Sequence, residues 1–280
     1  MKKFFLLNCS VIIVVIFFVF FQLSAADNYS FESWKPIYKG VEYGLFRIDP
    51  SMSAEKGIIH IVRIDPTKAE LKAILASEHD KKMRTASEWC IKSKLVVAIN
   101  AGMYQTDYLT NVGYLRNGTH VQNKRWTNTY KSVLAFGPRK EGIPAAIMLD
   151  LDEPDSKQKL DDYKTVLQNL RLMKGNGINV WSKTDKRWSE SAVGIDKDGR
   201  ILFLFCRSLY NMTDFNEIVK TLPLDIIRLM HMEGGLPASL SIHSAEVNLN
   251  LFGNHETAFG SDDTNKEQWP IPNVIGVSGR

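Results

Sequence analysis

Ile226-Ile227-Arg228-Leu229-Met230-His231-Met232-Glu233-Gly234-Gly235 is an apolar run that ends on a carboxylate and two glycines. It reads as a buried strand delivering an acid into a turn, because glycine admits positive φ and lets a ligand or another backbone come close. The same shape occurs upstream, where Leu95-Val96-Val97-Ala98-Ile99 runs into Asn100-Ala101-Gly102-Met103-Tyr104. Two strand ends carrying polar side chains and glycine mark the expected cleft.

Further strands are expected around these two. Residues 44–48 and 57–64 are rich in β-branched and apolar side chains and are bounded by Asp49-Pro50 and Asp65-Pro66. Residues 71–75, 132–136, 145–149, 238–242 and 274–277 read the same way. Hairpins are expected at 112–121, turning at Asn117-Gly118, and at 192–205, turning at Asp198-Gly199. Thr85-Ala86-Ser87-Glu88 has the form of a capping box, with Trp89, Ile91 and Leu95 following at helical spacing. Asp214-Phe215-Asn216-Glu217 caps a second helix that runs to Leu222 and stops at Pro223. Residues 161–173 read as a helix or a helix-to-strand junction, and 255–269 as a polar loop. No repeat or low-complexity linker divides these elements. The expected fold class is therefore α/β (mixed α+β), one domain with a mixed β-sheet flanked by helices.

The chain opens with Met1-Lys2-Lys3, continues in an almost wholly apolar run from Phe4 to Phe21, and reaches Ser24-Ala25-Ala26-Asp27. This is the pattern of a secretory signal cleaved after Ala26. The expected parts are a signal peptide (1–26), a lead-in segment (27–56) and the domain proper (57–280). The protein would then be exported, to a periplasm or the extracellular space, touching membrane only through an uncleaved signal. The formal charge of +4 falls to +2 without Lys2 and Lys3. No dense basic block accompanies it, which argues against nucleic acid as a partner. Cys90 and Cys206 remain after processing, either as a long-range disulfide or as two buried thiols.

Several familiar constellations are missing. The sequence has no Gly-x-Ser-x-Gly elbow, His-Glu-x-x-His, Cys-x-x-Cys or Walker loop. Asp150-Leu151-Asp152-Glu153-Pro154-Asp155 starts like a calcium loop, but proline stands fifth and no glycine stands sixth. No pattern calls for a cofactor, and a divalent metal is open without being indicated. Ser239 and His243 lie four apart near Glu233, a spacing that ordinary strand residues also have.

The motifs, in order, resemble the phosphodiester glycosidase domain family. They are the strand at 57–66, Ala98-Ile99-Asn100-Ala101-Gly102-Met103-Tyr104, the Asn117-Gly118 turn and Ser191-Ala192-Val193-Gly194-Ile195 with Asp198-Gly199. The helix at 214–222, Glu233-Gly234-Gly235 and Ile271-Pro272-Asn273-Val274-Ile275-Gly276-Val277 complete them. The resemblance implies a hydrolase acting on a carbohydrate or sugar-phosphate substrate; a non-catalytic glycan-binding or envelope-binding protein on the same fold is the alternative. Such a site needs a carboxylate to activate water or steady an oxocarbenium-like centre, and donors for phosphate oxygens. Glu233 and Asn100 are the expected catalytic residues. Gly102, Tyr104, Arg187, Gly234, Gly235, Ser239 and Asn273 are the expected substrate-binding set, and no residue is assigned to a metal. His231 reads as a hydrogen-bonded core histidine. Two departures stand out: Glu233 replaces the usual aspartate, and Glu190 puts an acid where a basic residue would face phosphate.

Overall fold

The computed structural model describes residues 29–48, 57–256 and 265–279. The expected signal sequence and part of the 255–269 loop lie outside these residues. The strands form three sheets, and every strand pair is antiparallel.

The largest sheet runs in the order Ser30–Phe31, Val41–Arg47, Ile58–Ile64, Ile201–Tyr210, Trp188–Asp196, Ile226–Gly234, Arg171–Lys174, Ile178–Asn179. Lys35–Tyr38 also pairs with Val41–Arg47. The second sheet runs Ala146–Asp150, Ser132–Pro138, Tyr163–Asn169, Leu115–Asn117, His120–Asn123. The third runs Asn248–Phe252, Ser239–His243, Leu95–Asn100, Asn273–Ser278, Leu71–Leu75. The described residues are thus mostly β-sheet with two α-helices, and helices do not flank a mixed sheet as expected. The physical reason is the source of burial. Continuous apolar runs such as Leu95–Asn100 usually indicate a sheet covered by helices on both faces. Here, one core takes Val62, Phe203 and Met230 from the first sheet, Leu134 and Leu167 from the second, and Ile99, Leu240 and Ile275 from the third. On that side sheets cover sheets, and a helix packs only on the outer face of the first sheet and of the third.

Residues 161–173 are a second correction. A 3-10 turn at Gln158–Asp162 leads into the strands Tyr163–Asn169 and Arg171–Lys174. Tyr163–Asn169 lies inside the second sheet and is buried on both faces except at Lys164, so alternation is hidden. At Leu170 the chain passes to the largest sheet, where the Leu170 carbonyl accepts from His231 N–H (3.0 Å).

The first helix, α1 (Ala86–Ser93), has the expected capping box: Thr85 Oγ1 accepts from Glu88 N–H (3.1 Å), and Thr85 N–H donates to Glu88 Oε2 (2.8 Å). It buries Ala86, Trp89 and Cys90, and Trp89 Nε1 donates to the Ile271 carbonyl (2.9 Å). Ile91 does not join this face; it is 69% exposed. The second helix, α2 (Met212–Thr221), starts earlier than expected because Asn211, not Asp214, is the cap, with Oδ1 accepting from Asp214 N–H (3.0 Å). Phe215 and Val219 pack it against Leu172, Leu202, Leu204 and Cys206. Cys90 and Cys206 are free thiols in separate clusters, and burial pushes each up to about 12.

Candidate active site

The strand Ile226–Gly234 lies between Trp188–Asp196 and Arg171–Lys174, and its end is not regular. His231 pairs with Ala192, but Glu233, not Met232, pairs with Ser191. Met232 is the extra residue of a β-bulge, a device that re-aims the side chain after it. Alternation is broken just before the acid. Gly234 N–H then donates to Glu233 Oε1 (3.1 Å). A Cβ on Gly234 would stand 2.4 Å from Trp188 Cδ1, so the indole seats on the bare glycine. Gly235 takes φ of 70° and donates its N–H to the Ser189 carbonyl (2.9 Å).

Three ionisable groups gather at this strand end. His231 Nδ1 lies 2.6 Å from Glu190 Oε1, and both residues are buried. Trp188 Nε1 donates to Glu190 Oε2 (3.1 Å). Burial raises the Glu190 pKa, against the pull of the imidazole. Burial alone would lower His231, but the Glu190 carboxylate and its hydrogen bond outweigh it and hold the imidazole more basic than usual. Glu233 is partly buried, and desolvation lifts its carboxyl to about 7. His231 and the Gly234 N–H oppose that shift, while Glu190 adds to it. Glu190 is therefore no exposed acid facing a phosphate. It is the buried counter-ion of His231.

Tyr104 and Tyr130 lie close enough to Glu233 for its charge to act on them. Burial first, then Glu233 and Tyr108, bring the Tyr104 hydroxyl up to about 12; burial and Glu233 raise Tyr130. Gly102 has φ of 97° and no room for a side chain, since a Cβ would meet Asn111 Oδ1 at 2.6 Å and Asn169 Nδ2 at 3.0 Å. Asn169 Nδ2 donates to the Met232 carbonyl (3.3 Å), tying the second sheet to the bulge.

Asn100 is buried and acts as a brace. Its Oδ1 accepts from Ser239 N–H (2.8 Å) and lies 3.1 Å from the Ser191 hydroxyl, and its Nδ2 donates to the Pro237 carbonyl (2.9 Å). The Ser191 hydroxyl also reaches the Glu233 carbonyl (3.0 Å). Asn100 thus fixes the Glu-Gly-Gly turn from the third sheet. Ser239 is fully buried and its Oγ donates to the Pro237 carbonyl (3.1 Å). His243 is turned to Ser87 and Asn250 instead, so the Ser239–His243 spacing forms no dyad. Asn273 is also buried: its Oδ1 accepts from Gln122 (2.8 Å) and its carbonyl from Ala101 N–H (3.0 Å). Arg187 is half exposed and paired with Glu256.

The fold thus brings Glu233, Gly234, Gly235, Gly102 and Tyr104 together, holds Asn100, Ser239 and Asn273 behind them, and pairs Arg187 with a neighbouring acid. Sequence reasoning noticed Glu190 only as an acid in the place of a base, and missed Tyr130, Asn111 and Asn169. The bulge at Met232 removes the two-residue spacing of His231 and Glu233 as a signal, and nothing local marked Asn169 once its strand read as helix. A cleft of about 630 Å³ opens elsewhere, between Pro66–Ala73 and residues 117–119, 136–138 and 164–165. It gathers no comparable set of buried ionisable groups. Among the described residues, no three His, Cys, Asp or Glu side chains gather to hold a metal ion.

A profile of the phosphodiester glycosidase family matches residues 93–278, which include both strand ends. The catalytic domain of zebrafish N-acetylglucosamine-1-phosphodiester alpha-N-acetylglucosaminidase, solved auto-inhibited by its pro-peptide, is similar to this chain. The TM-score is 0.61 and the identity 14%, over 90% of this chain and 88% of that one. A hypothetical protein from Synechocystis aligns with a TM-score of 0.54 at 12% identity, over 90% of this chain and 68% of that one. At these identities the likeness is one of fold. No curated protein matches the sequence. With the profile spanning most of the chain, the protein belongs to the phosphodiester glycosidase family.

Proposed function

We propose that the protein is an exported hydrolase that cleaves a sugar from a glycosyl-phosphodiester, with Glu233 at the reaction centre. One observation carries this reading: a carboxyl raised to about 7 stands at a bulged strand end, with a buried Glu190–His231 pair and two tyrosines within reach of its charge. A base poised near the working pH is suited to proton transfer.

The bond between the anomeric carbon and the phosphate oxygen breaks, and the oxygen keeps the electron pair. The departing phosphate monoester is already a good leaving group, so a strong general acid is dispensable. Water attacks the anomeric carbon and gives its proton to the ionised Glu233, while the carboxylate steadies the positive charge that develops there. Glu190 and His231 are positioning residues, as is Asn100. Where the family resemblance implies aspartate, glutamate reaches about 1.5 Å further; the bulge at Met232 offers a way to accommodate that length. The signal-like pattern of residues 1–26 supports export, and the similarity to the catalytic domain of zebrafish N-acetylglucosamine-1-phosphodiester alpha-N-acetylglucosaminidase suggests the first substrates.

A second reading, glycan binding without cleavage, draws on Arg187. A substrate phosphate seeking that guanidinium would have to displace Glu256. The test is incubation of purified residues 27–280 with UDP-N-acetylglucosamine and a panel of glycosyl-phosphodiesters, with and without divalent metal. Release of free reducing sugar supports hydrolysis. Saturable binding with no sugar released supports the second reading and overturns the first.

A further inference from the structure

The cleft of about 630 Å³ beside Pro66–Ala73 has a sheet edge for one wall. Leu71–Leu75 is the last strand of the third sheet and pairs with Asn273–Ser278 on one side. Two bonds just outside the strand fix its hydrogen-bonding phase. Ser278 N–H donates to the Glu70 carbonyl (3.1 Å), and Ala76 N–H donates to the Pro272 carbonyl (2.8 Å). With Gly276 opposite Lys72 and Val274 opposite Ile74, the even-numbered residues exchange bonds with the neighbouring strand. Leu71 and Ala73 hold the alternate positions, so their N–H and C=O groups point away from the sheet. Asn117 Nδ2, on the facing wall of the cleft, reaches the Ala73 carbonyl at 3.5 Å, which shows that away from the sheet is toward the cleft.

Among the described residues no strand completes this edge. Bare edges are a liability that proteins manage by covering or obstructing them. Here the second sheet stands across the gap, where Phe136, Thr165 and Asn117 lie side by side on three of its strands. That overhang obstructs a second sheet but leaves room for one extended chain at the usual spacing of about 4.8 Å. The cleft is also apart from the reaction centre. The Leu75 end of the strand pairs with Asn273, and Leu71 lies four residues further along, roughly 13 Å away.

Most charged groups around the cleft are already committed. Lys68 pairs with Asp65 and Lys72 with Glu70, and Glu78 accepts from Asn117 Nδ2 (2.8 Å). Two cations at the other wall have no acid. The stem of Lys164 crosses the bare face of Gly137, where a Cβ would stand 3.5 Å from Lys164 Cβ, and its ammonium has no partner among the described residues. Arg139 donates to the carbonyls of Gly118 and Tyr163 (3.0 Å each) and makes no ion pair.

We propose that this cleft binds an extended acidic peptide segment of a partner protein, which adds as a strand to the Leu71–Leu75 edge. A peptide residue opposite Leu71 exchanges two backbone bonds with it, and the next pairing residue accepts from Ala73 N–H. An acidic side chain of the peptide meets Lys164 and Arg139. Main-chain pairing supplies affinity in this mode, and the side-chain contact supplies selectivity. The outcome does not depend on whether the protein hydrolyses a phosphodiester.

The probes are two pools of capped hexapeptides, random except at one position, which is aspartate in one pool and lysine in the other. Both are screened on the purified protein, and binders are remade with a fluorophore to read Kd by anisotropy. Aspartate peptides should bind and lysine peptides should not. Lys164→Glu and Arg139→Glu, each checked for unchanged melting, should weaken the aspartate peptides at least about tenfold, the scale of one charge-assisted hydrogen bond. Should either variant fail to fold, the other decides together with the peptide chemistry. N-methylation along the peptide should abolish binding at the residue opposite Leu71 and be tolerated at its neighbours, whose N–H groups face away. Bound peptide should slow amide exchange at Leu71 and Ala73 but not at Lys72, which is already bonded. No binder in either pool at about 1 mM, or binders indifferent to both charge reversals and to N-methylation, overturns the proposal. Tetragalacturonate is the control for an acidic glycan: if it binds through Lys164 and no peptide does, strand addition is overturned as well.

Discussion

Replacing Glu233 by glutamine should stabilise the fold at alkaline pH. Folding lifts this carboxyl from an ordinary 4.5 to about 7, chiefly by desolvation. The ionised form is therefore less stable in the native state than in the unfolded chain. Below pH 4.5 the group is protonated in both states and the raised pKa has no cost. Between 4.5 and 7 the unfolded state ionises first, and stability falls; above 7 the loss is constant. Two and a half pH units at ~1.4 kcal/mol each give about 3.5 kcal/mol, which the partial exposure of the carboxyl trims to about 3 kcal/mol. Glutamine keeps an oxygen for the Gly234 N–H and carries no charge. The assay is urea denaturation of wild type and Glu233→Gln at pH 8 and at pH 4.5. The variant should be more stable by about 3 kcal/mol at pH 8 and equal to wild type at pH 4.5, within about 0.5 kcal/mol. A difference that is the same at both pH values, or a variant less stable at pH 8, refutes the burial argument. A residue whose removal stabilises the fold is what a site trading stability for function should contain.

The same carboxyl sets the pH dependence of activity. Because the ionised form accepts the proton, log(kcat/KM) should rise with pH and level off above about 7; a profile that falls across this range would assign Glu233 as an acid instead. His231→Gln leaves Glu190 buried without its counter-ion, and chemical denaturation should register a loss of about 3–5 kcal/mol. Gly276→Ala puts a Cβ 2.3 Å from the Val97 carbonyl oxygen in a central strand pair, so this variant should fail to give soluble, cooperatively melting protein; normal melting would show that the third sheet yields more than its packing implies.

Much of the fold could be read from the chain. The strands at Leu95–Asn100 and Ile226–Gly234 announce themselves as apolar runs closed by glycine, and the Thr85–Glu88 capping box has the expected bonds. The class was harder, since a run buried by a neighbouring sheet has the same composition as one buried by helices. Residues 163–169 show that ambiguity at its sharpest. The site was legible at Glu233, Gly234 and Gly102, where a strand end and a missing Cβ leave a local signature. It was not legible at the Met232 bulge, because a one-residue shift in register depends on the partner strand. Nor could the Glu190–His231 pair be read, since it joins residues 41 positions apart through that register. Asn100 was noticed for the right reason, its place at a strand end, yet its amide braces the turn of Glu233 from behind.

The most direct measurement is turnover of a cleaved glycosyl-phosphodiester by wild type, Glu233→Gln and Glu233→Asp, each first verified as folded. The expected result is release of reducing sugar by wild type and a loss of at least about a hundredfold in kcat for the glutamine variant. The aspartate variant should keep the chemistry at a rate lowered by its shorter reach, by up to about a hundredfold for ~1 Å of misplacement. Turnover undiminished in Glu233→Gln would contradict the assignment of Glu233 to the reaction centre.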